Sequence, residues 1–170
     1  MVSNSILGGY LMHVLRSKAA WLLFLGLLSA PLFAQTAVRL EALLNEPALT
    51  WSDAAAFVLE ASETAPASDQ SNSPEPLEAF RAAAERKWLP KNAVPEGTAR
   101  LNGIALLLMR SFDLKGGIFY SISKSPHHAY RELVYKGLIR GDTDPGMTVS
   151  GQQLLLIISR ILSVKEKEGE

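Results

Sequence analysis

At 170 residues, with 17 Lys+Arg against 17 Asp+Glu, the chain is long enough for one domain and carries no net charge. It has no cysteine, which excludes disulfides and a thioether-linked lipid anchor. No basic stripe exists to follow a phosphate backbone, so nucleic acid is excluded as an expected partner.

The N-terminus opens with Arg16 and Lys18 ahead of an uncharged run, Ala19 to Ala34. The run is short for a bilayer-spanning helix, and Pro31 lies near its end. A positive start, a short apolar stretch and a small residue before Gln35 describe a secretory signal peptide over residues 1–34, with Met12 as an alternative start. An uncleaved N-terminal anchor helix is the competing reading. Cleavage after Ala34 leaves 136 residues with 15 basic against 17 acidic side chains, a net charge of −2.

Residues 35–60 read as N-terminal helices forming a partial repeat. Leu40, Leu43 and Leu44 suggest a short helix that Pro47 ends. Thr50 followed by Asp53 resembles a capping box, and Ala54, Phe57 and Val58 share one face of the helix it opens. Residues 61–76 are poor in large apolar side chains and rich in Ser, Pro, Ala and acid. Such a stretch buries too little surface to offset its ordering entropy, so a flexible insertion is expected, with an ordered surface loop as the alternative.

The remainder carries a duplication. Ala79–Phe112 aligns with Ala129–Leu162 without a gap at a constant offset of 50. Six of 34 pairs are identical, among them Arg81/Arg131, Pro95/Pro145 and Arg110/Arg160. The apolar class is kept at Phe80/Tyr130, Trp88/Leu138, Leu89/Ile139 and Ile104/Leu154. Within each copy the apolar residues recur at i, i+3, i+4, i+7 and i+8, the helical period. The segments are a helix–loop–helix unit at 77–113, a connector at 114–125, a second unit at 126–164 and a charged tail at 165–170. Ser125-Pro126 caps and starts one helix, and Ser150 with Gln153 starts the last as a capping box. Residues 118–122 (IFYSI) are short and apolar, helix or strand. The expected fold class is all-α: two similar units and a partial third in one compact bundle.

Candidate chemistry is sparse. His127 and His128 are adjacent, point about 100° apart on a helix and cannot converge on one metal ion. Asp142 and Asp144 begin like a calcium loop, but no acid follows at the required distance, and a tight turn explains them. Ser121, Ser123 and Ser125 lie near His127 without an acid placed to orient a base. No metal, cofactor or catalytic constellation is expected.

Lys136-Gly137-Leu138-Ile139, the Gly/Asp turn 141–146 and Val149-Ser150 opening an apolar helix resemble an S-layer homology module. The likeness covers Ala129–Leu162 best, Ala79–Phe112 less well and Leu49–Leu59 as a fragment. Where the family carries Thr-Arg-Ala-Glu, this chain has Ser150-Gly151-Gln152-Gln153 and Arg100-Leu101-Asn102-Gly103. The resemblance implies an exported, non-catalytic envelope module that binds a cell-wall polysaccharide, peptidoglycan or an envelope protein. A structural accessory domain packing on a protein partner is the alternative, and an enzyme the third class. The loops 91–100 and 141–150 are the expected recognition elements, with Arg100, Arg140, Arg131 and Tyr130 as ligand-contact candidates and Trp88 mainly in the core.

Overall fold

Every segment with helical periodicity is helical in the computed structural model, which describes residues 38, 40–62, 75–141 and 143–168. Residues 1–34, read from the sequence as a signal peptide, and most of the segment 61–76, read as a flexible insertion, lie outside the described residues. Residues 40–45 are helical. The named helices then follow in order: α1 (Trp51–Ala61), α2 (Pro76–Glu85), α3 (Leu101–Ser111), α4 (Ile118–Ser123), α5 (Pro126–Tyr135) and α6 (Gly151–Glu168). Among the described residues there is no strand, only two isolated β-bridges, so the domain is all-α. The apolar run 118–122 resolves as helix. α6 continues through Lys165, whose ammonium donates to the Phe112 carbonyl at 3.2 Å.

Local chemistry sets the helix starts. Thr50 caps α1, its hydroxyl accepting from the Asp53 N–H at 3.2 Å and donating to the Asp53 carboxylate at 2.6 Å. This is half of a capping box, because Asp53 answers the hydroxyl rather than the Thr50 N–H. Pro76 and Pro126 stand at the first positions of α2 and α5, and Ser125 caps the latter. Ser150 accepts from the Gln153 N–H at 3.2 Å at the start of α6.

At α1 and α3 the first N-terminal donors are satisfied by loops from elsewhere in the chain, at a spacing of 50. The N–H groups of Trp51 and Ser52 donate to the carbonyls of Gly97 and Pro95, both at 3.0 Å. Those of Leu101 and Asn102 donate to Met147 at 3.0 Å and Pro145 at 2.9 Å. The prolines sit second in matched turns, closed by Gly97 N–H to Val94 at 3.0 Å and Met147 N–H to Asp144 at 3.1 Å. At the centre three buried residues close a ring of backbone bonds: Ala99 donates to Leu49 at 2.8 Å, Val149 to Ala99 at 3.2 Å and Leu49 to Val149 at 2.9 Å. The bridges Thr50↔Thr98 and Arg100↔Thr148 flank it.

Around this ring α1 packs on α2, α3 on α5, and α1 also meets α3 and α6. The core belongs to Ala42–Glu170, which pack as one unit. Its centre is Leu49, Leu59, Leu101, Ile104, Leu107, Leu133, Leu154 and Ile161. Two glycines are dictated by close approach. A Cβ on Gly103 would strike the Trp51 ring and sit 2.8 Å from Pro90 Cγ. A Cβ on Gly151 would overlap the Leu43 carbonyl oxygen. The Gly151 N–H meanwhile donates to Glu46 at 3.0 Å, so residues 42–46 lie directly across the start of α6.

Candidate functional site

α2 and α5 end alike, and that ending shapes the site. Trp88 N–H bonds back to Ala83 at 2.9 Å, and Leu138 N–H to Leu133 at 2.9 Å. This closure places the preceding residue in the left-handed region. In one copy that residue is Gly137, with φ 68°, but in the other it is Lys87, with φ 58°. The chain thus accepts a strained lysine where glycine is the easy choice. Lys124, ending α4, is also left-handed at φ 45°.

These lysines line one groove. It has a volume of about 760 Å³ and runs between α2, the loop after it, α3 and the turn from α4 into α5. Lys87, Lys91, Arg110 and Lys124 line it, over an apolar floor that includes Phe80 and Leu106. A smaller cleft of about 310 Å³, with Trp51 and Arg100 in its wall, adjoins it by sharing Pro90, Asn92 and Pro126. Among the described residues five cations line the pair and no carboxylate does. Grouped cations with no acid among them favour an anionic ligand.

Arg110 organises this region. Its guanidinium donates to the Lys87 carbonyl and, at 3.1 Å, to the Lys124 carbonyl. It thereby ties the end of α2 and the end of α4 to α3, under the two left-handed lysines. Arg160, its counterpart, donates to the Leu138 carbonyl at 3.0 Å. Both recurring arginines thus cover helix ends.

Tyr120 is buried beside Arg110. Burial pushes its phenol above the ordinary 10.0, and the nearby Asp113 charge adds to this, while the Arg110 hydrogen bond and charge pull it back. The folded state therefore holds the phenolic proton at a pH where the unfolded chain gives it up. This contribution to stability is complete below pH 10.0 and is lost as pH rises past it. Tyr120→Phe is expected to flatten the alkaline part of that loss. Urea midpoints at about pH 9 and about pH 10.5 measure it.

The sequence-predicted residues separate. Arg100 lies in the smaller cleft, exposed, and its Nη1 donates to the Gly146 carbonyl at 2.8 Å. Arg140 is exposed, and its Nε donates to the Gly137 carbonyl at 2.8 Å. Arg131 is exposed on α5. Neither Arg131 nor Arg140 lines the two grooves. Tyr130 donates its hydroxyl to the Thr143 carbonyl at 2.6 Å, with the Thr143 hydroxyl 2.9 Å away, so it fastens α5 to the following loop. Trp88 is partly buried against the core under the Arg86 guanidinium, 4.9 Å from its ring.

Sequence reasoning passed over Lys87, Lys124 and the groove role of Arg110. One signal was available: the position of Gly137, where the Trp88/Leu138 pairing places a lysine in the other copy. The histidine pair also gains a contact. His128 Nδ1 lies 2.7 Å from the Ser123 hydroxyl and 2.9 Å from that of Ser125. Ser123 also bonds the Phe119 carbonyl at 3.0 Å and Ser125 caps α5, so both hydroxyls serve helix ends. Among the described residues no group of three His, Asp or Glu side chains could hold a metal ion. No protein family, curated protein or solved structure matches this chain.

Proposed function

We propose that this protein is an exported, non-catalytic module of the bacterial envelope, built of three degenerate S-layer homology-like repeats, that binds an anionic cell-wall polymer. The observation that carries the ligand class is the pair of adjoining grooves with Lys87, Lys91, Arg110, Lys124 and Arg100 in their walls and, among the described residues, no carboxylate. The repeat reading draws support from the backbone bonds at 49, 99 and 149 and from the matched turns 50 residues apart. The signal-like stretch before Gln35 supports export. A peptidoglycan or wall polysaccharide with carboxylate or phosphate groups fits a groove of this charge, whose apolar floor suits the faces of sugar rings.

The left-handed lysines make a clean test. Lys87→Gly and Lys124→Gly remove charge at positions whose backbone suits glycine, so the fold is expected to tolerate them. Combined with Lys91→Gln, they are expected to weaken retention on purified anionic wall polymer by at least about tenfold at low salt. Thermal unfolding should hold or rise. Unchanged retention would overturn the reading, as would equal retention on an uncharged glycan.

A second reading, an accessory domain packing on a protein partner, is favoured by one contrast. Equivalent positions on α1, α3 and α6 are Ala56, Leu106 and Leu156, and their exposures are 1%, 3% and 52%. The position is buried on α1 and α3 and open on α6. Light scattering on the purified protein with and without captured envelope proteins discriminates the two, since polymer binding alone leaves a monomer.

A further inference from the structure

We propose that α4 is an interfacial docking element that seats the protein on an anionic lipid surface. This goes beyond polymer binding in the groove and does not rest on it. Ile118, Phe119 and Ile122 are 77%, 76% and 80% exposed. They fall at i, i+1 and i+4, on one side of a single short helix. Tyr120, on the other side, is buried and holds the helix to the domain. The apolar ridge therefore stands outward from a fixed base.

The fold does not call for this ridge. The connector 50 residues earlier in the sequence has Ser68, Asp69 and Asn72 where this one has Ile118, Phe119 and Ile122. Residues 64–75 contain no Val, Ile, Leu, Met or aromatic side chain at all. A link of the same length between equivalent helices is thus written in polar residues in one place and in large apolar ones in the other. Exposed apolar side chains that folding does not require mark a contact surface.

Size and charge select the occupant. Three projecting side chains fall far short of the ~800 Å² per partner that a stable protein interface buries. A convex ridge of this kind enters a bilayer interface readily, where each apolar side chain gains separately. Exposed Lys115 and Lys124 bracket α4, and Lys87 and Lys91 share the groove with Lys124. Among the described residues two carboxylates lie beside α4: Asp113, just before Lys115, and Glu132, whose Oε1 lies 2.8 Å from a Cβ placed on Gly117. The basic side chains outnumber them and favour anionic headgroups. Among the described residues no helix is long and apolar enough to cross a membrane, so the contact proposed is with the interface.

The absence of cysteine allows a local readout. The full chain carrying Ile122→Cys, labelled with an environment-sensitive dye, is mixed with vesicles of phosphatidylcholine or of phosphatidylcholine with about one-third phosphatidylglycerol. Dye emission is expected to shift blue and rise severalfold on the anionic vesicles only. The change should fade at about 0.5 M salt. The same dye on Glu96→Cys, at the opposite end of α3, should stay unchanged. Adding Lys115→Glu and Lys124→Glu to the Ile122→Cys chain should raise the lipid concentration for half-maximal change by about tenfold. An unmoved dye at position 122 overturns the proposal, including when the chain binds vesicles through residues 19–34. A shift that grows with protein concentration without lipid overturns it in favour of a second copy. A parent chain that is not retained on wall polymer, with the dye response intact, would sink the groove reading and leave this one standing.

Discussion

Gly151→Ala is expected to destabilise the protein by about 3 kcal/mol or more, the upper end of overpacking costs. A methyl group there overlaps the Leu43 carbonyl oxygen, and that atom belongs to backbone, so no side chain can swing aside. Relief requires moving residues 42–46 off the start of α6, which breaks the Gly151 N–H bond to Glu46 and opens the buried site of Leu43. For a chain of this size the loss is a fall of roughly 10 °C in melting temperature. Gly146→Ala is the control. Its added methyl meets the Asp144 carboxylate at 3.4 Å and Arg100 Nη1 at 4.0 Å, both side-chain atoms at ordinary contact distance, and the backbone is not left-handed, so a change within about 0.5 kcal/mol is expected. Scanning calorimetry on the two variants decides it: a Gly151→Ala protein as stable as its parent would mean that residues 42–46 do not cross α6 as described.

Arg110→Ala is the other large effect. Two helix-end carbonyls, at Lys87 and Lys124, lose a charged donor, and hydrogen bonds of that kind contribute about 1.5–3 kcal/mol each. A loss of about 3 kcal/mol is expected after partial rescue by water. Binding should fall as well, because both carbonyls belong to the lysines that line the groove. Arg110→Lys should recover part of the stability but less of the geometry, since an ammonium lacks the planar fork that reaches two acceptors at once. Urea unfolding and polymer retention on both variants measure this. Equal stability of Arg110→Ala and the parent would remove Arg110 as the organiser of the region.

The sequence made the helices and their ordering legible, because the 3.6-residue period and the caps at Thr50, Ser125 and Ser150 reside in side-chain types. α4 was ambiguous for a physical reason. Six apolar-rich residues do not separate a two-residue period from a helical one, and only packing through Tyr120 decides. The backbone ring at 49, 99 and 149 left almost no trace, because Leu, Ala and Val share nothing but burial and the bonds use main-chain atoms. Tyr130 read as an available ring, yet its hydroxyl is engaged by Thr143, a partner 13 residues away that no local pattern announces. The basic groove was hidden for the same reason: Lys87 and Lys124 converge only after α3 folds between them.

That ring also governs how the chain reaches and leaves its folded state. Its members lie 50 or 100 positions apart, so each bond closes a long loop before gaining its neighbours. High separation of contacting residues slows folding relative to ordinary helical bundles, whose contacts are mostly local. Helices α2 and α5 can form early against α1 and α3, but the centre locks only when all three segments of the junction arrive together. Unfolding should therefore occur in a single step, with no stable two-thirds remnant, and amide exchange at Leu49, Ala99 and Val149 should proceed at one common rate.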